Sequence, residues 1–192
     1  MSDSKARKRV LDAAETLFVD YGYEGVTVKE IAKKAGIHHA SIYYHIPDGK
    51  ASLFVEVMTR YLNRHREGIQ ASLAEADEDI QAQLMAVASW LLSQQPMDLM
   101  RLVNADIPAL DEQGAEELRW VAFDAMLSPI EAILETAKER GEINHPNLGN
   151  VAGAILNAIE GLHMIPSAYI QRSRLEMAEE LMTLFVRGMQ LP

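Results

Sequence analysis

From His38 to His45 the chain reads His-His-Ala-Ser-Ile-Tyr-Tyr-His, a dense run of hydrogen-bonding and planar side chains. Three chemistries use such groups: metal ligation, nucleophilic catalysis and recognition of bases and phosphates. Metal ligation fits poorly. Adjacent histidines on a helix point about 100° apart, the chain has no cysteine, and no neighbouring carboxylate completes a ligand set. Glu160 and His163 form a second candidate, with the Glu-x-x-His spacing of di-metal helical bundles. Such a centre needs a second copy of the motif and two further inward glutamates, and this pair stands alone. Nucleophilic catalysis also lacks an anchor, because no strained Gly-x-Ser-x-Gly turn and no glycine-rich phosphate loop accompanies the serines and histidines. An enzyme is therefore not expected, and neither is a cofactor. Recognition remains, since imidazole, hydroxyl and phenol groups can bond to phosphates and base edges without an activated atom.

The elements needed to position these groups are written around them. Thr27 and Glu30 have the spacing of a capping box, with Val26 and Ile31 as the apolar staple across it. Val28, Ile31, Ala32 and Ala35 then share one face of a two-turn helix that Gly36 can end in the left-handed conformation. A second short helix follows at once. Ile37 and Ile42 flank its start, Ile42 and Ile46 point inward, and the polar and aromatic groups crowd the other faces. Two short helices joined by a tight glycine turn have the shape of a helix-turn-helix, whose second helix enters the major groove of DNA. Upstream, Val10, Ala14, Leu17, Phe18 and Tyr21 form one apolar stripe on a first helix that Gly22 ends.

Charge is distributed to match. The chain of 192 residues nets −10, yet residues 1–66 net +3 and residues 67–192 net −13. A basic end on an acidic body suits phosphate binding at that end, although charges also serve simply as a soluble surface. The basic N-terminal residues Lys5, Arg7, Lys8 and Arg9 read as a flexible arm that adds backbone or minor-groove contacts, or as solubilising decoration. No apolar run reaches the roughly 20 residues of a membrane span, and the charged start lacks a signal segment. A cytoplasmic protein without a membrane partner is expected. The remaining periodicity is helical, with further helices at about 48–75, 78–95, 98–106, 113–140, 148–166 and 171–190, so the fold class is all-α: a three-helix head joined to a helical bundle body.

The stretch from about Arg9 to Val57 resembles the DNA-binding head of the tetracycline-repressor (TetR) family. The residues that carry the resemblance are LFVDYGYEGVTV at the end of the first helix, the IAKKAGI turn, and IYYHIPDGKASLF leading into a fourth helix. It implies a DNA-binding domain over 1–47 and a ligand-binding and dimerisation domain over 48–192. It also implies a homodimer that holds a palindromic double-stranded operator and releases it when a small molecule binds. Carried over by position, Thr27, Tyr43, His45 and Lys50 are implied phosphate contacts, and His39, Ala40, Ser41 and Tyr44 face the bases. Lys29 and His38 complete the implied DNA-binding set. Three departures stand out: His38 replaces the usual Ser or Thr cap, Ile46 replaces an aromatic residue, and Pro47, Asp48 and Gly49 place one extra residue before Lys50. No Arg or Lys lies between His38 and His45, so the bidentate arginine–guanine contact is not available there.

In the body, Trp90, Met97, Met100, Trp120, Phe123, Met126 and Met164 are candidates for an adaptable apolar lining, with Asn104, Asn157, Glu160 and His163 to orient a mainly hydrophobic effector. The last two helices, rich in apolar and small residues, are expected to form the dimer contact. Two rivals stay open from the residues alone. One is a helical-bundle metal protein centred on Glu160 and His163, and the other is a protein that binds DNA without sequence choice.

Overall fold

The structure is a computed structural model that describes residues 2–190, and those residues contain helices and no strand. In chain order they form α1 (Ser2–Tyr21), α2 (Val28–Ala35), α3 (His39–His45), α4 (Gly49–Ala74), α5 (Ile80–Ser93) and the single turn α6 (Leu99–Arg101). A π-helical turn (Leu102–Asp106) and a 3-10 turn (Ile107–Ala109) follow α6. The chain continues with α7 (Glu112–Ala122), a second π-helical turn (Phe123–Leu127), α8 (Ser128–Glu139), α9 (Leu148–Met164), a 3-10 turn (Ser167–Tyr169) and α10 (Arg174–Met189). No helix among the described residues is long and apolar enough to cross a membrane.

The chain divides into two compact units. The first holds residues 1–63 and 97–122, the second residues 64–96 and 123–192. In the first unit Val10, Ala14 and Phe18 of α1 are buried with Ile31, Ala32 and Ala35 of α2, Ile42 of α3, and Leu53, Phe54 and Val57 of α4. Phe54 is the hub: the Phe18 ring meets it edge-on at 4.9 Å and the Tyr23 ring at 5.1 Å, the geometry favoured by the ring quadrupoles. Tyr21 differs from expectation. It is the last residue of α1, where the chain turns away at Gly22, and it is 62% exposed.

The second unit packs α5 against α8, α9 and α10. Ile80, Leu84, Val87, Ala88 and Leu91 of α5 are buried, as are Ala152, Ile155, Ile159 and Leu162 of α9 and Ala178, Met182, Val186 and Met189 of α10. Caps fix the helix starts. Asp79 accepts from the Ala82 N–H at 3.0 Å, Asn147 from Asn150 at 3.0 Å, and Ser173 and Glu176 form a capping box on α10. These side chains satisfy amides that have no partner within the helix.

The expected single helix over 113–140 is interrupted by the π-helical turn at Phe123–Leu127, followed by Pro129 in the first turn of α8. A proline there costs nothing in backbone hydrogen bonds, since that amide has no helical partner.

Candidate nucleic-acid interface

The helix-turn-helix is assembled by local chemistry. Thr27 Oγ1 accepts from the Glu30 N–H at 3.3 Å, and Glu30 Oε2 accepts from the Thr27 N–H at 2.8 Å and from the Thr27 hydroxyl at 2.7 Å. Those bonds, the hydroxyl first and then the amide, hold the Glu30 carboxyl below the usual carboxylate range. At the far end of α2, Gly36 sits at φ 66°, ψ 38°. The Ile37 N–H reaches the Ala32 carbonyl at 3.1 Å, closing the left-handed turn that glycine adopts without steric cost.

α3 then starts without Ser or Thr. His38 Nδ1 accepts from the Ala40 N–H at 3.3 Å, so the imidazole takes the capping role and the departure at this position is compensated. Ile42 is fully buried and Ile46 is 5% exposed, and they fix which face of α3 looks outward. On that face His39, Ala40 and Ser41 are exposed, with Tyr43 at 53% and Tyr44 at 74%. The rings are arranged in edge-on pairs, His39 with Tyr43 at 5.6 Å and Tyr44 with His45 at 5.4 Å. Thr27 and Lys29 are exposed at the start of α2. An aromatic, hydroxyl-bearing face backed by two buried isoleucines can insert into a groove as a rigid unit.

Two groups differ from expectation. Lys50 is directed inward: its Nζ donates to the carbonyls of Tyr23 at 2.9 Å and Val26 at 3.1 Å and lies 4.0 Å from the centre of the Tyr23 ring. It ties α4 to the loop before α2 and so has a structural role beside the phosphate contact that the resemblance implies. The N-terminal basic residues are not a flexible arm. Lys5, Arg7, Lys8 and Arg9 belong to α1, and Arg7 makes a two-pronged pair with Glu56, both contacts at 2.9 Å.

Residues 10–57 match the model of the bacterial regulatory proteins of the tetR family. Over 188 residues the chain is 27% identical to the HTH-type transcriptional regulator YvkB of Bacillus subtilis (strain 168), covering 94% of this chain and 95% of that one. It is 42% identical over 60 residues to the icaADBC biofilm operon negative transcriptional regulator IcaR of Staphylococcus aureus (strain Newman), 30% of this chain and 32% of IcaR. The relatives matched at higher identity are thus covered over only 39% and 32% of their own lengths. The fold matches the crystal structure of the transcriptional regulator FadR from Bacillus subtilis in complex with stearoyl-CoA, with a TM-score of 0.69 at 17% identity, over 94% of this chain and 98% of that one. Residues 10–57 thus carry the segment that defines tetR-family regulators. The relatives it matches are named as transcriptional regulators, IcaR as a negative one.

The candidate effector residues are dispersed. Met97 is buried, Met100 and Trp120 are 59% and 66% exposed, and the Asn104 amide donates to the Met100 carbonyl at 2.9 Å; all four belong to the first unit. The other seven belong to the second. Met126 is buried, Phe123 and Met164 are 39% and 73% exposed, and the Asn157 amide is spent on the Gly153 carbonyl at 2.8 Å. Where α5 meets α9, His163 Nε2 donates to the Leu91 carbonyl at 3.1 Å. Neighbouring Trp90 lies against the Gly68 backbone so closely that a Cβ there would stand 2.0 Å from Cζ2. The Trp90 Nε1 donor is buried without a hydrogen-bond partner among the described residues. Glu160, one turn before His163, has its carboxyl pushed up to about 7 by burial.

Sequence reasoning missed Arg101 and Asp106, which grip the loop before the helix-turn-helix. No local signal singles them out: α1 has no basic residue in its last turn, but neither have α4 and α5.

Proposed function

We propose that this regulator is a ligand-responsive repressor that occupies a palindromic operator as a homodimer and leaves it when a small molecule binds. The observation that carries the DNA-binding half is the outward face of α3, where Tyr44, Tyr43, Ser41 and His39 stand on a helix locked by Ile42 and Ile46. On this reading His39, Ala40, Ser41 and Tyr44 read bases, while Thr27, Lys29, His38, Tyr43 and His45 touch the backbone. Residues 1–47 act as the head and 48–192 as the body, and the protein works in the cytoplasm, where the operator is.

Repression agrees with IcaR, a negative regulator. The effector half rests on two polar groups of the second unit that are withdrawn from water: the unpartnered Trp90 Nε1 donor and the desolvated Glu160 carboxyl. A mainly hydrophobic molecule with one or two polar groups suits them, and the FadR structure with stearoyl-CoA favours an acyl-bearing one. Such a ligand releases DNA only by favouring a conformation that no longer fits two successive major grooves. For the dimer, α9 and α10 leave a groove of about 470 Å³ lined by Val151, Ala154, Leu181, Leu184 and Phe185 among others. Leu184 is 66% exposed and Leu175 47%. A partner copy seated there sets two heads one helical turn apart, roughly 34–36 Å.

Selection from random DNA with the purified protein tests the reading. A palindromic consensus bound ~10³-fold or more tighter than unrelated DNA supports it. Equal affinity for all sequences favours the rival that binds DNA without sequence choice.

A further inference from the structure

We propose that Arg101 and Asp106, both outside residues 10–57, are positioning residues for DNA binding: they clamp the loop from which the helix-turn-helix is suspended. The proposal rests on the DNA-binding reading above.

The need for a clamp starts in α1. Its last carbonyls have no partner within the helix, and a cation belongs at that end of the helix dipole. The last turn supplies the wrong sign, Asp20, and no basic residue. Arg101 meets the need from a distant segment. One terminal nitrogen donates to the carbonyls of Val19 at 2.7 Å and Phe18 at 3.3 Å, and the other to that of Asp20 at 3.2 Å. Asp106, 5% exposed, completes the contact. Its Oδ1 accepts from the Tyr23 N–H at 2.8 Å, and its Oδ2 faces Arg101 Nε at 3.4 Å. A carboxylate this buried is tolerated when paired and hydrogen-bonded, and here both conditions come from the clamp.

The backbone between these residues is shaped for it. On an α-helix, side chains five apart diverge by about 140°. The π-helical turn at Leu102–Asp106, closed by the Ile107 N–H on the Leu102 carbonyl, adds a residue to the turn and brings Arg101 and Asp106 to one side. Wider turns of this kind often mark functional positions. Gly22 fits the grip. At φ +73° it favours glycine already, and a Cβ would stand 2.7 Å from Asp106 Oδ1 and 2.8 Å from Arg101 Nε.

Lys50 holds the same loop through Tyr23 and Val26. The connection from Gly22 to Val26 is therefore fixed by three charged side chains from two other segments, and Thr27 opens α2 directly after it. Loosening the Arg101–Asp106 grip leaves the reading residues on α3 intact but lets the module swing. Affinity should fall, and base preference should not change.

The test measures the dissociation constant per active molecule for DNA selected by the wild-type protein, well below the unfolding temperature, with the active fraction set by stoichiometric titration. The proteins are wild type, Arg101→Met, Arg101→Lys, Asp106→Asn and, as control, Arg119→Gln on the exposed side of α7. Arg101→Met and Asp106→Asn should weaken binding tenfold or more with an unchanged consensus, Arg101→Lys should lie between, and the control should match wild type. Faster amide exchange at Gly22–Val26 should accompany the loss. If Arg101→Met does not fold, the milder Arg101→Lys and Asp106→Asn decide. Binding within twofold of wild type for those variants, with the loop amides exchanging faster, overturns the clamp and leaves only a stabilising contact. A wild-type protein that selects no sequence overturns the DNA-binding reading instead.

Discussion

Replacing Glu160 by Gln should make the protein more stable at pH 8 than wild type and nearly equal to it at pH 4.5. Burial alone raises the Glu160 carboxyl from 4.5 to about 7. Between those values the unfolded chain releases the proton while the folded chain keeps it. The unfolded state then binds fewer protons, so stability falls as pH rises through this window and levels off above about 7. At about 1.4 kcal/mol per pH unit, the full window corresponds to about 3 kcal/mol, an upper bound because part of the side chain reaches solvent. Glutamine keeps the shape without the charge and should remove this slope. Urea unfolding of both proteins at pH 4.5, 6 and 8 measures it, with the gap between them opening as pH rises. A gap that is the same at all three values would show that Glu160 ionises freely in the folded chain, and would remove the desolvated carboxyl from the effector site.

Lys50→Met should destabilise the protein by about 1–3 kcal/mol in thermal unfolding, because two carbonyl acceptors lose a charged donor, and leave the salt dependence of DNA binding unchanged. A drop of about one in the salt slope would restore Lys50 to the phosphate contacts. Thr27→Ala removes the cap of α2 and should cost about 1 kcal/mol of stability, measured by denaturant unfolding, with no change in the selected consensus. Leu184→Glu places a charge in the apolar groove of α9 and α10 and should yield a monomer in sedimentation at micromolar concentration. An unchanged dimer would move the contact elsewhere.

The helix-turn-helix was legible because its signals are local. A capping pair three residues apart, a glycine after two helical turns, and isoleucines at 42 and 46 each act within a few residues. The same locality explains the helix boundaries, since Thr27, Asp79, Asn147 and Ser173 cap their own chains. The structural role of Lys50 was not legible because its partners, the Tyr23 and Val26 carbonyls, lie more than 20 residues away and a lysine's sequence position does not say which way its stem turns. Arg101 and Asp106 escaped for the same reason, and the π-helical turn that aligns them keeps an ordinary helical sequence. The body's aromatic and methionine residues were legible as apolar but not as inward or outward. Trp120 and Met164 sit on the solvent side of their units, and helix phase against a partner is decided by packing.

The most direct measurement compares the sequences selected from random DNA by wild type, Tyr44→Ala and Tyr43→Phe. With α3 in the major groove, Tyr44→Ala should change the preferred bases, and Tyr43→Phe should keep the consensus while binding all sequences more weakly. An unchanged consensus for Tyr44→Ala, together with an altered one for Tyr43→Phe, would contradict the proposed orientation of the recognition helix.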